Sequence, residues 1–454
     1  MSNYTSGPDA ELIFSIWPTN PAAQELLDEL ARSLDNDSFS DEEPRFEYID
    51  IQFDPGCQWG LIHSIVSEDD EVTLDDDGYE DLMFSFKIHI ETGEIVLMNE
   101  SEAQPCKFYG DSRVPVLSDS QLEGMVIDPD INLEFGVGGR RATKYRWRIE
   151  WHEDSLPDLA KWVDTWGDRR LGHDGVVMDI PPQPCTRNKQ AMERYLTRTN
   201  LSFTYENSVS KAVDVYSGQC VAIKSILRPD NAIPIEATDF AKLSHSNIME
   251  IFQVIIRPSD VGMVMPLADG DLEALVETDE DFFFVDGLME PGDEIGLPIL
   301  RQMAQALDYL DYKGIIHHDV KPGNILYHWT GDAYHYRLAD FGISTFVDDE
   351  PSFLGTRPYK APEVMFEDLE VQNEHTPKLD IWSLCATIVD VFRIDKFQYS
   401  KCYEDWDIMR AVIHDAKMVG GIVEKMAHTN PHKRVSAADI LDEVFGGVGR
   451  TTPY

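Results

Sequence analysis

The chain is poor in positive charge. Of its 454 residues, 38 are Lys or Arg and 83 are Asp or Glu, so the formal net charge is −45 at pH 7. Such an excess of carboxylates repels the phosphates of nucleic acids and of anionic membranes, which argues against both as partners. A solvated acidic surface is the simplest interpretation, and basic proteins are the partners or substrates that it favours.

Cysteine and long apolar runs are also scarce. The six cysteines form no Cys-x-x-Cys pair, which argues against a zinc site or a disulfide framework and is typical of a reducing compartment. No stretch approaches the roughly 20 apolar residues that a membrane span needs. Residues 1–14 lack the basic start and apolar run of a signal peptide. We therefore expect an intracellular protein, cytoplasmic or nuclear, that is not secreted.

The segment DIPPQPCTRNKQ, residues 179–190, divides the chain because its prolines and polar residues interrupt every apolar periodicity. Hydrophobic residues make up 43% of the chain, which is an ordinary globular value. We predict an acidic β-rich domain over 1–178 and a linker over 179–198. A second domain is expected over 199–446, followed by a tail over 447–454.

The first region is predicted to open with a short helix, with Asn20 as its N-cap and Pro21 at its first position. One apolar stripe would follow, made of Leu26, Leu27, Leu30 and Leu34. Apolar residues then recur at every second position in DLMFSFKIHI (81–90) and KYRWRIEW (144–151), which predicts strands with one buried face. GEIVLMN (93–99) predicts another strand.

The order FKIHI, GEIVLMN, INLEFG and YRWRIEW, within about residues 50–152, resembles the second half of a forkhead-associated domain. In other proteins that β-sandwich binds phosphothreonine. The loop arginine and the Ser-x-x-His of that family are missing from the expected places. The resemblance implies a sandwich-type fold and a phosphoprotein partner for this region.

The most specific pattern is GIIHHDVKPGNILY, residues 314–327, followed by Asp-Phe-Gly at 340–342. With these motifs, residues 200–445 resemble the eukaryotic Ser/Thr protein kinases, which implies an α+β, two-lobed fold. By this resemblance Asp319 orients the attacking hydroxyl and accepts its proton, and Lys321 neutralises the γ-phosphate. Asn324 and Asp340 would hold Mg²⁺, because they supply the hard oxygen ligands that it prefers.

Nucleotide-binding residues follow from the same resemblance. CVAIKSI is an alternating strand whose Lys224 matches the lysine that holds the α- and β-phosphates, and LSHSNI places Glu236 as its partner carboxylate. Pro234 and the short span from Lys224 predict that the helix carrying Glu236 is shortened at its start. The other residues implied in ATP binding are Leu201, Val209, Ala222, Met265, Leu267 and Ala268.

GTRPYKAPE, residues 355–363, resembles the segment of the family that receives the substrate peptide. Within it, Thr356 matches a threonine that bonds to the catalytic aspartate and lysine. Glu363 would pair with Arg434 in a buried ion pair. Asp380, in the helix KLDIWSLCATIVDVF, would hold the backbone of the segment 314–327, which corresponds to the catalytic loop of the family.

Two departures from the family concern ATP and control. SFTYEN has Ser202, Thr204 and Asn207 where three glycines are usual, so weaker ATP binding is expected. His318 replaces the arginine that grips a phosphorylated activation loop, and a neutral imidazole cannot make that bidentate contact. Phosphorylation of that loop is therefore predicted not to be the switch.

The sequence predicts an ATP- and Mg²⁺-dependent Ser/Thr protein kinase that acts on a protein hydroxyl. Two alternatives stay open. A pseudokinase scaffold would explain the missing glycines but not the intact metal ligands. A phosphopeptide-binding protein would act through the N-terminal region.

Overall fold

A computed structural model describes most of the chain, and the statements below concern these residues. They are 11–34, 48–53, 84–89, 92–99, 106–111, 113, 124–139, 141–152, 194–228, 232–278, 295–349, 355–366, 375–392 and 404–453. Two compact units make up the chain: residues 1–224 with 255–257, and residues 225–254 with 258–454. The predicted linker over 179–198 falls inside the first unit, and the strand that starts at Tyr195 covers its end.

The first unit is rich in strands and has one helix, α1 (Pro21–Leu34), in its described part. The strands are β1 (Glu11–Pro18), β2 (Ile49–Phe53), β3 (Phe84–Ile88), β4 (Ile95–Asn99), β5 (Cys106–Tyr109), β6 (Gly124–Ile127), β7 (Glu134–Val137), β8 (Tyr145–Trp151), β9 (Tyr195–Phe203), β10 (Asn207–Asp214) and β11 (Cys220–Leu227). The last residues of β11 belong to the second unit.

Two antiparallel sheets form the N-terminal region. Their strand orders are β2-β1-β8-β7-β5 and β3-β4-β6. Phe14 of the first sheet meets Phe86 of the second edge to face, with ring centroids 5.0 Å apart, and both rings are buried. Since apolar side chains of both sheets contribute to one core, the region is a sandwich-type structure, as the sequence predicted.

The predicted elements of this region are confirmed where the structure describes them. β3, β4 and β8 lie within the predicted strands, and in β8 Tyr145, Trp147 and Ile149 are buried while Arg148 is exposed. The carboxamide oxygen of Asn20 accepts the Ala23 N–H at 3.0 Å, which confirms the N-cap of α1. Of the predicted stripe, the side chains of residues 30 and 34 lie outside the described part.

The prediction that the region opens with a helix was wrong, because β1 precedes α1. β1 lies inside its sheet, between β2 and β8. Its sequence, ELIFSIWP, is nearly continuously apolar, and residues 13–16 are all buried. A strand that is buried on both faces does not alternate, and periodicity therefore could not identify it.

β9, β10 and β11 continue the first unit, and β10 pairs with both of its chain neighbours. Val213 and Val215 belong to the same apolar core as the two N-terminal sheets. The Val126 N–H of β6 also donates to the Val215 carbonyl at 2.7 Å. The β9–β11 segment and the N-terminal sandwich therefore share one core.

One arginine reinforces this junction, and another ion pair lies within the segment that contains β9 and β10. Arg198 of β9 lies between Glu94 and Asp128 of the sandwich, with N–O distances of 2.6 and 2.7 Å. Arg194 and Asp214 form a second pair at 2.6 Å, and both side chains are 2% exposed. Buried pairs of this kind are strongly destabilising when one partner is removed, because the other charge is left without compensation.

The second unit mixes strands and helices, which confirms the predicted α+β class. Its strands are β12 (Gln253–Ile256), β13 (Asp260–Pro266), β14 (Gly270–Asp271), β15 (Ile315–Ile316), β16 (Ile325–Trp329), β17 (Tyr334–Leu338) and β18 (Thr345–Phe346). Its helices are α2 (Leu272–Thr278), α3 (Gly296–Tyr312), α4 (Pro362–Met365), α5 (Lys378–Val391), α6 (Asp405–Val419), α7 (Gly421–Met426) and α8 (Ala437–Phe445).

Helix α5 lies at the centre of the second unit. Nearly all of its residues are buried, including Trp382 and Cys385, and they belong to one core with α3, α6, α7 and α8. A helix that is apolar on every side must be surrounded by other elements. Its position provides a rigid base for the loops at its N-terminal end, where Asp380 lies.

Candidate active site

Asp380 anchors the loop that joins β15 to β16. Its carboxylate accepts the backbone N–H groups of His317 at 2.7 Å and His318 at 2.9 Å. Burial raises the pKa of Asp380 to about 7, although these two donors lower it. The predicted contact between Asp380 and the backbone of this loop is therefore confirmed.

Asp319 accepts hydrogen bonds on both carboxylate oxygens. Oδ2 accepts from the Lys321 ammonium at 2.7 Å and from the Asn324 carboxamide at 3.0 Å. Oδ1 accepts from the Thr356 backbone N–H at 2.9 Å and from its hydroxyl at 2.7 Å. Burial raises the pKa of Asp319, but the hydrogen bonds from Lys321 and Thr356 lower it by more than that, so the net shift of the pKa is downward. The carboxylate is therefore ionised at neutral pH and can act as a proton acceptor.

Thr356 reaches Asp319 because of the residue before it. Gly355 has φ +112°, and a Cβ there would lie 2.6 Å from the His318 carbonyl oxygen. A side chain at this position would therefore collide with the catalytic loop. The Thr356 hydroxyl also accepts from the Lys321 ammonium at 2.9 Å, which confirms the predicted link from this threonine to both residues.

The β16–β17 hairpin places the backbone of Asn324 beside that of Ala339, the residue before Asp340. Ile325 pairs with Leu338, and the Ala339 N–H donates to the Asn324 carbonyl at 2.9 Å. The Asn324 amide nitrogen donates to Asp319, so its amide oxygen is the atom that would bind a cation. Asp340 has a left-handed backbone, φ 66°, and its Oδ1 accepts the Gly342 N–H at 3.3 Å.

This pair fits a divalent cation that prefers oxygen ligands. Among the described residues, no group of three or more His, Cys, Asp or Glu side chains could hold a metal ion. The pair of one amide and one carboxylate would therefore need phosphate and water oxygens to complete the ligand shell, as is usual where Mg²⁺ is bound with a nucleotide.

Glu236 lies in a tight turn rather than in a shortened helix, so that part of the prediction was wrong. Residues 235–237 and 240–242 form two separate 3-10 turns, and Thr238, with φ −116° and ψ −73°, lies between them. Pro234 precedes the first turn and has no N–H to donate. Glu236 is nevertheless buried, and it accepts the Phe341 N–H at 3.1 Å. It therefore fixes the backbone next to Asp340.

The other residues predicted to bind ATP lie in both units. In the first unit, Leu201 on β9 is 53% exposed, Val209 on β10 is half-buried, and Ala222 and Lys224 on β11 are buried. In the second unit, Met265 lies near the end of β13 and is half-buried.

The segment after β13 has one backbone group turned toward β16. The Leu267 carbonyl is 3.0 Å from Nε2 of His328, so it is already engaged within the unit. Leu267 and the next residue, Ala268, are both half-buried. The sequence did not indicate the contact with His328, because it joins residues distant in the chain.

The β9–β10 turn closes without glycine. The Thr204 N–H donates to the Asn207 carbonyl at 2.8 Å, and the Asn207 N–H donates to the Thr204 hydroxyl at 3.0 Å. Two backbone N–H groups at the tip are thus used within the turn. Phe203 and Tyr205 extend from it and are 80% and 89% exposed.

His318 forms a cluster with two residues that the sequence did not single out. Its Nε2 is 2.9 Å from the Thr345 hydroxyl and 3.1 Å from Nε2 of His375, and the two rings stack. Burial, His375 and His317 lower the pKa of His318 to about 4, so the ring is neutral at pH 7. A neutral imidazole contact therefore links the catalytic loop to β18.

The predicted pair between Glu363 and Arg434 is confirmed. Two parallel hydrogen bonds, of 2.7 and 2.9 Å, join the guanidinium to the carboxylate, and both side chains are buried. Arg434 also donates to the Lys378 carbonyl at the start of α5. The pair thereby connects α4 to the central helix.

A family model, the protein kinase domain, matches residues 206–445. The chain is 28% identical over 260 residues to serine/threonine-protein kinase cds1 of Schizosaccharomyces pombe, which covers 51% of this chain and 54% of that protein. It is 32% identical over 177 residues to serine/threonine-protein kinase 10 of Homo sapiens, which covers 35% of this chain and 17% of that one. Mitogen-activated protein kinase 13 of Homo sapiens is 28% identical over 225 residues, with shares of 45% and 55%.

The chain thus spans about half the length of two of these relatives and much less of the third. No helix in the described part is long and apolar enough to cross a membrane.

Proposed function

Because this chain belongs to the protein kinase family, we propose that it transfers the γ-phosphoryl group of ATP to a serine or threonine hydroxyl of a protein. The observation that carries the proposal is the set of contacts at Asp319. Its carboxylate is held ionised by Lys321 and Thr356, while Asn324 bonds to the same group. Lysine at 321 and threonine at 356 match the Ser/Thr members of the family, which supports a hydroxyl of that kind as the acceptor.

Asp319 would orient the attacking hydroxyl and accept its proton as the new oxygen–phosphorus bond forms and the bond to ADP breaks. Lys321, already 2.7 Å from Asp319, would carry positive charge to the γ-phosphoryl oxygens. Such groups act mainly by position and charge, because phosphoryl transfer needs little covalent help from the protein.

Asn324 and Asp340 would hold Mg²⁺, which neutralises the phosphate oxygens when it is bound. Both residues are fixed by hydrogen bonds of their own, so their oxygens need little rearrangement. The role of Glu236 in the proposal is to pair with Lys224 for the α- and β-phosphates, and Leu201, Val209, Ala222, Met265, Leu267 and Ala268 would contact the nucleotide. We expect weak ATP binding, since two N–H groups of the β9–β10 turn are used internally.

The substrate is proposed to be a basic protein. The formal charge of −45 attracts cationic segments and disfavours acidic ones at low ionic strength. For the N-terminal sandwich, a phosphothreonine partner stays a prediction from its resemblance to forkhead-associated domains. The complete set of contacts around Asp319 counts against a scaffold without activity.

A radiometric assay on a generic basic protein tests the proposal, with Asp319→Asn and Asp340→Ala beside the parent chain. Phosphate transfer should be lost in both variants. Asp348→Asn, in an exposed turn that contributes no contact to Asp319, is the matched control and should retain transfer.

Thermal unfolding with and without millimolar ATP and Mg²⁺ separates binding from turnover. ATP should raise the unfolding temperature of the parent chain and of Asp319→Asn, because a ligand that binds the native state stabilises it. No transfer and no stabilisation in the parent chain would refute the proposal in favour of a scaffold.

A further inference from the structure

Asp308 of helix α3 is a buried carboxylate that the proposed reaction does not use. Its side chain is 0% exposed. It accepts three hydrogen bonds from a segment far along the chain: the Thr451 N–H at 2.5 Å, the Thr452 N–H at 3.0 Å and the Thr452 hydroxyl at 2.6 Å. A buried charge needs such donors, and here one short segment supplies them.

We call residues 449–453 the strap. Arg450 holds it to helix α8 through an ion pair with Asp442 and closes it by donating to the Pro453 carbonyl at 2.6 Å. Just before the strap, the Gln305 amide donates to the Val448 carbonyl at 3.3 Å. The strap is therefore seated on α3 and α8 by polar contacts, with Thr452 at its centre.

Asp308 has an acidic neighbour on its own helix, and Arg450 of the strap is already engaged. The Arg450 guanidinium pairs with Asp442, and its Nε donates to the Thr452 carbonyl at 2.9 Å and to the Thr452 hydroxyl at 3.3 Å. Asp311 lies one turn along α3, and burial followed by the charge of Asp308 raises the pKa of Asp311. A second negative group near Asp308 would therefore meet repulsion from a carboxylate that is already desolvated. The strap fits because it presents donors and no anion.

Thr452 is followed by Pro453, and this dipeptide occurs at one other place in the sequence, Thr376–Pro377. The two sites differ in their contacts. The Thr376 hydroxyl is buried and has no hydrogen-bond partner among the described atoms, and Pro377 leads into the central helix α5. Thr452 is half-buried, and Pro453 is exposed.

We propose that Thr452 is a phosphorylation site for a proline-directed Ser/Thr protein kinase, and that its modification releases the strap from Asp308. The γ-phosphoryl group of ATP passes to Oγ1 of Thr452, ADP leaves, and the hydroxyl proton is released. Two effects then act together. The hydroxyl donor to Asp308 is lost, and a group of about −1.5 to −2 charge takes its place beside the carboxylate.

Phosphorylation requires that the strap first leaves Asp308, because the hydroxyl is engaged in the closed state. The phosphate then prevents the strap from returning to Asp308, so the strap stays released until the phosphate is removed. Release of the strap exposes an acidic surface on α3 around Asp308. This inference does not depend on the activity proposed above for the chain itself.

The test uses the full chain with Asp319→Asn, which removes phosphorylation by the chain itself, and a purified proline-directed kinase with ATP. Mass spectrometry locates the phosphate, and hydrogen exchange follows the amides of residues 451 and 452. We expect phosphate on Thr452 and none on Thr376. Modification of Thr452 should be at least fivefold faster when Asp308→Ala is added. The amides of residues 451 and 452 should lose their protection after modification. Pro453→Ala should reduce modification to background.

A synthetic peptide of residues 446–454 shows whether the kinase accepts the sequence. The proposal is overturned if both proteins stay unmodified, whether or not the peptide is phosphorylated, or if the modified protein keeps its amide protection. Thr452→Val and Thr452→Ser test the anchor without altering Asp308. The valine variant should lose protection at 451 and 452 and the serine variant should retain it, and equal protection in both contradicts the role of the hydroxyl.

Discussion

Thr356 illustrates how single atoms determine the site. Its hydroxyl donates to Asp319 and accepts from Lys321, so one oxygen links the two residues that are proposed to act on the reacting groups. Its backbone N–H adds a further donor to Asp319. The sequence predicted this link through its resemblance to the Ser/Thr protein kinases, in which the matching threonine bonds to the same two residues.

Thr356→Val should lower kcat by about tenfold to a hundredfold, because hydrogen bonds to charged groups contribute about 1.5–3 kcal/mol. The backbone donor stays, so the chain should fold. Thr356→Ser keeps the hydroxyl and should retain most of the activity. Steady-state kinetics on a basic protein substrate measures both, and equal rates for the valine and serine variants would contradict the role of the hydroxyl.

The pKa of His318 predicts a loss of stability in acid. It lies at about 4 in the folded chain against an ordinary value of 6.5. Between these values the unfolded chain binds a proton that the folded chain does not. The free energy of unfolding should therefore fall as the pH is lowered from 6.5 toward 4, by at most about 1.4 kcal/mol per pH unit from this group.

Urea unfolding at pH 7.5, 6.5 and 5.5 measures this dependence. His318→Gln should give a shallower decline than the parent chain across the same range, whatever its absolute stability. Because His317 and His375 adjoin the ring, His375→Gln is the matched variant, and it should reduce the decline less. Parallel curves for His318→Gln and the parent chain would show that His318 does not titrate in this way.

Among the elements, the catalytic loop could be predicted, whereas the segment around Glu236 could not. The loop was identified from a local motif whose residues lie close together in the chain. Glu236 reaches Phe341 from a pair of 3-10 turns, and that geometry is set by Pro234 and by contacts distant in sequence. β1 was missed for a related reason, since a central strand without alternation resembles any apolar run.

Glycine at Ser202, Thr204 and Asn207 together should lower the KM for ATP. The change removes three β-carbons and the Thr204 hydroxyl, so the Asn207 N–H is no longer held within the turn. Enzyme kinetics at varied ATP measures the effect, with Thr199→Gly on the same strand as a control for loss of strand stability. A higher KM in the triple variant than in the control would refute this account of the turn.

At the scale of the whole molecule, the N-terminal sandwich shares its core with the β9–β11 segment, in which the protein kinase match begins. Val213 and Val215 lie in its core, and Arg198 is clamped by Glu94 and Asp128. The sequence predicted two domains with a linker because composition changes there. It could not show the shared core, which depends on the pairing of segments about ninety positions apart, such as Val126 and Val215.

A fragment of residues 199–454 should therefore be much less stable than the full chain. It would expose Val213 and Val215 and would leave Asp214 without Arg194. Circular dichroism with thermal unfolding compares the two. A fragment of 190–454, which restores Arg194 but not the sandwich, is the control and should recover only the part of the loss that comes from the unpaired Asp214. Equal unfolding temperatures for the full chain and either fragment would show that the sandwich contributes nothing.

The clamp on Arg198 has a thermodynamic consequence. A molecule that binds the sandwich better when Glu94 and Asp128 hold Arg198 must favour the arrangement of β9 in which that contact is made. Linkage is reciprocal, so whatever favours that arrangement from the side of β9 strengthens the binding of the first molecule by the same factor. A molecule bound at β9 could thus be detected as a change in the affinity of the sandwich for a second molecule.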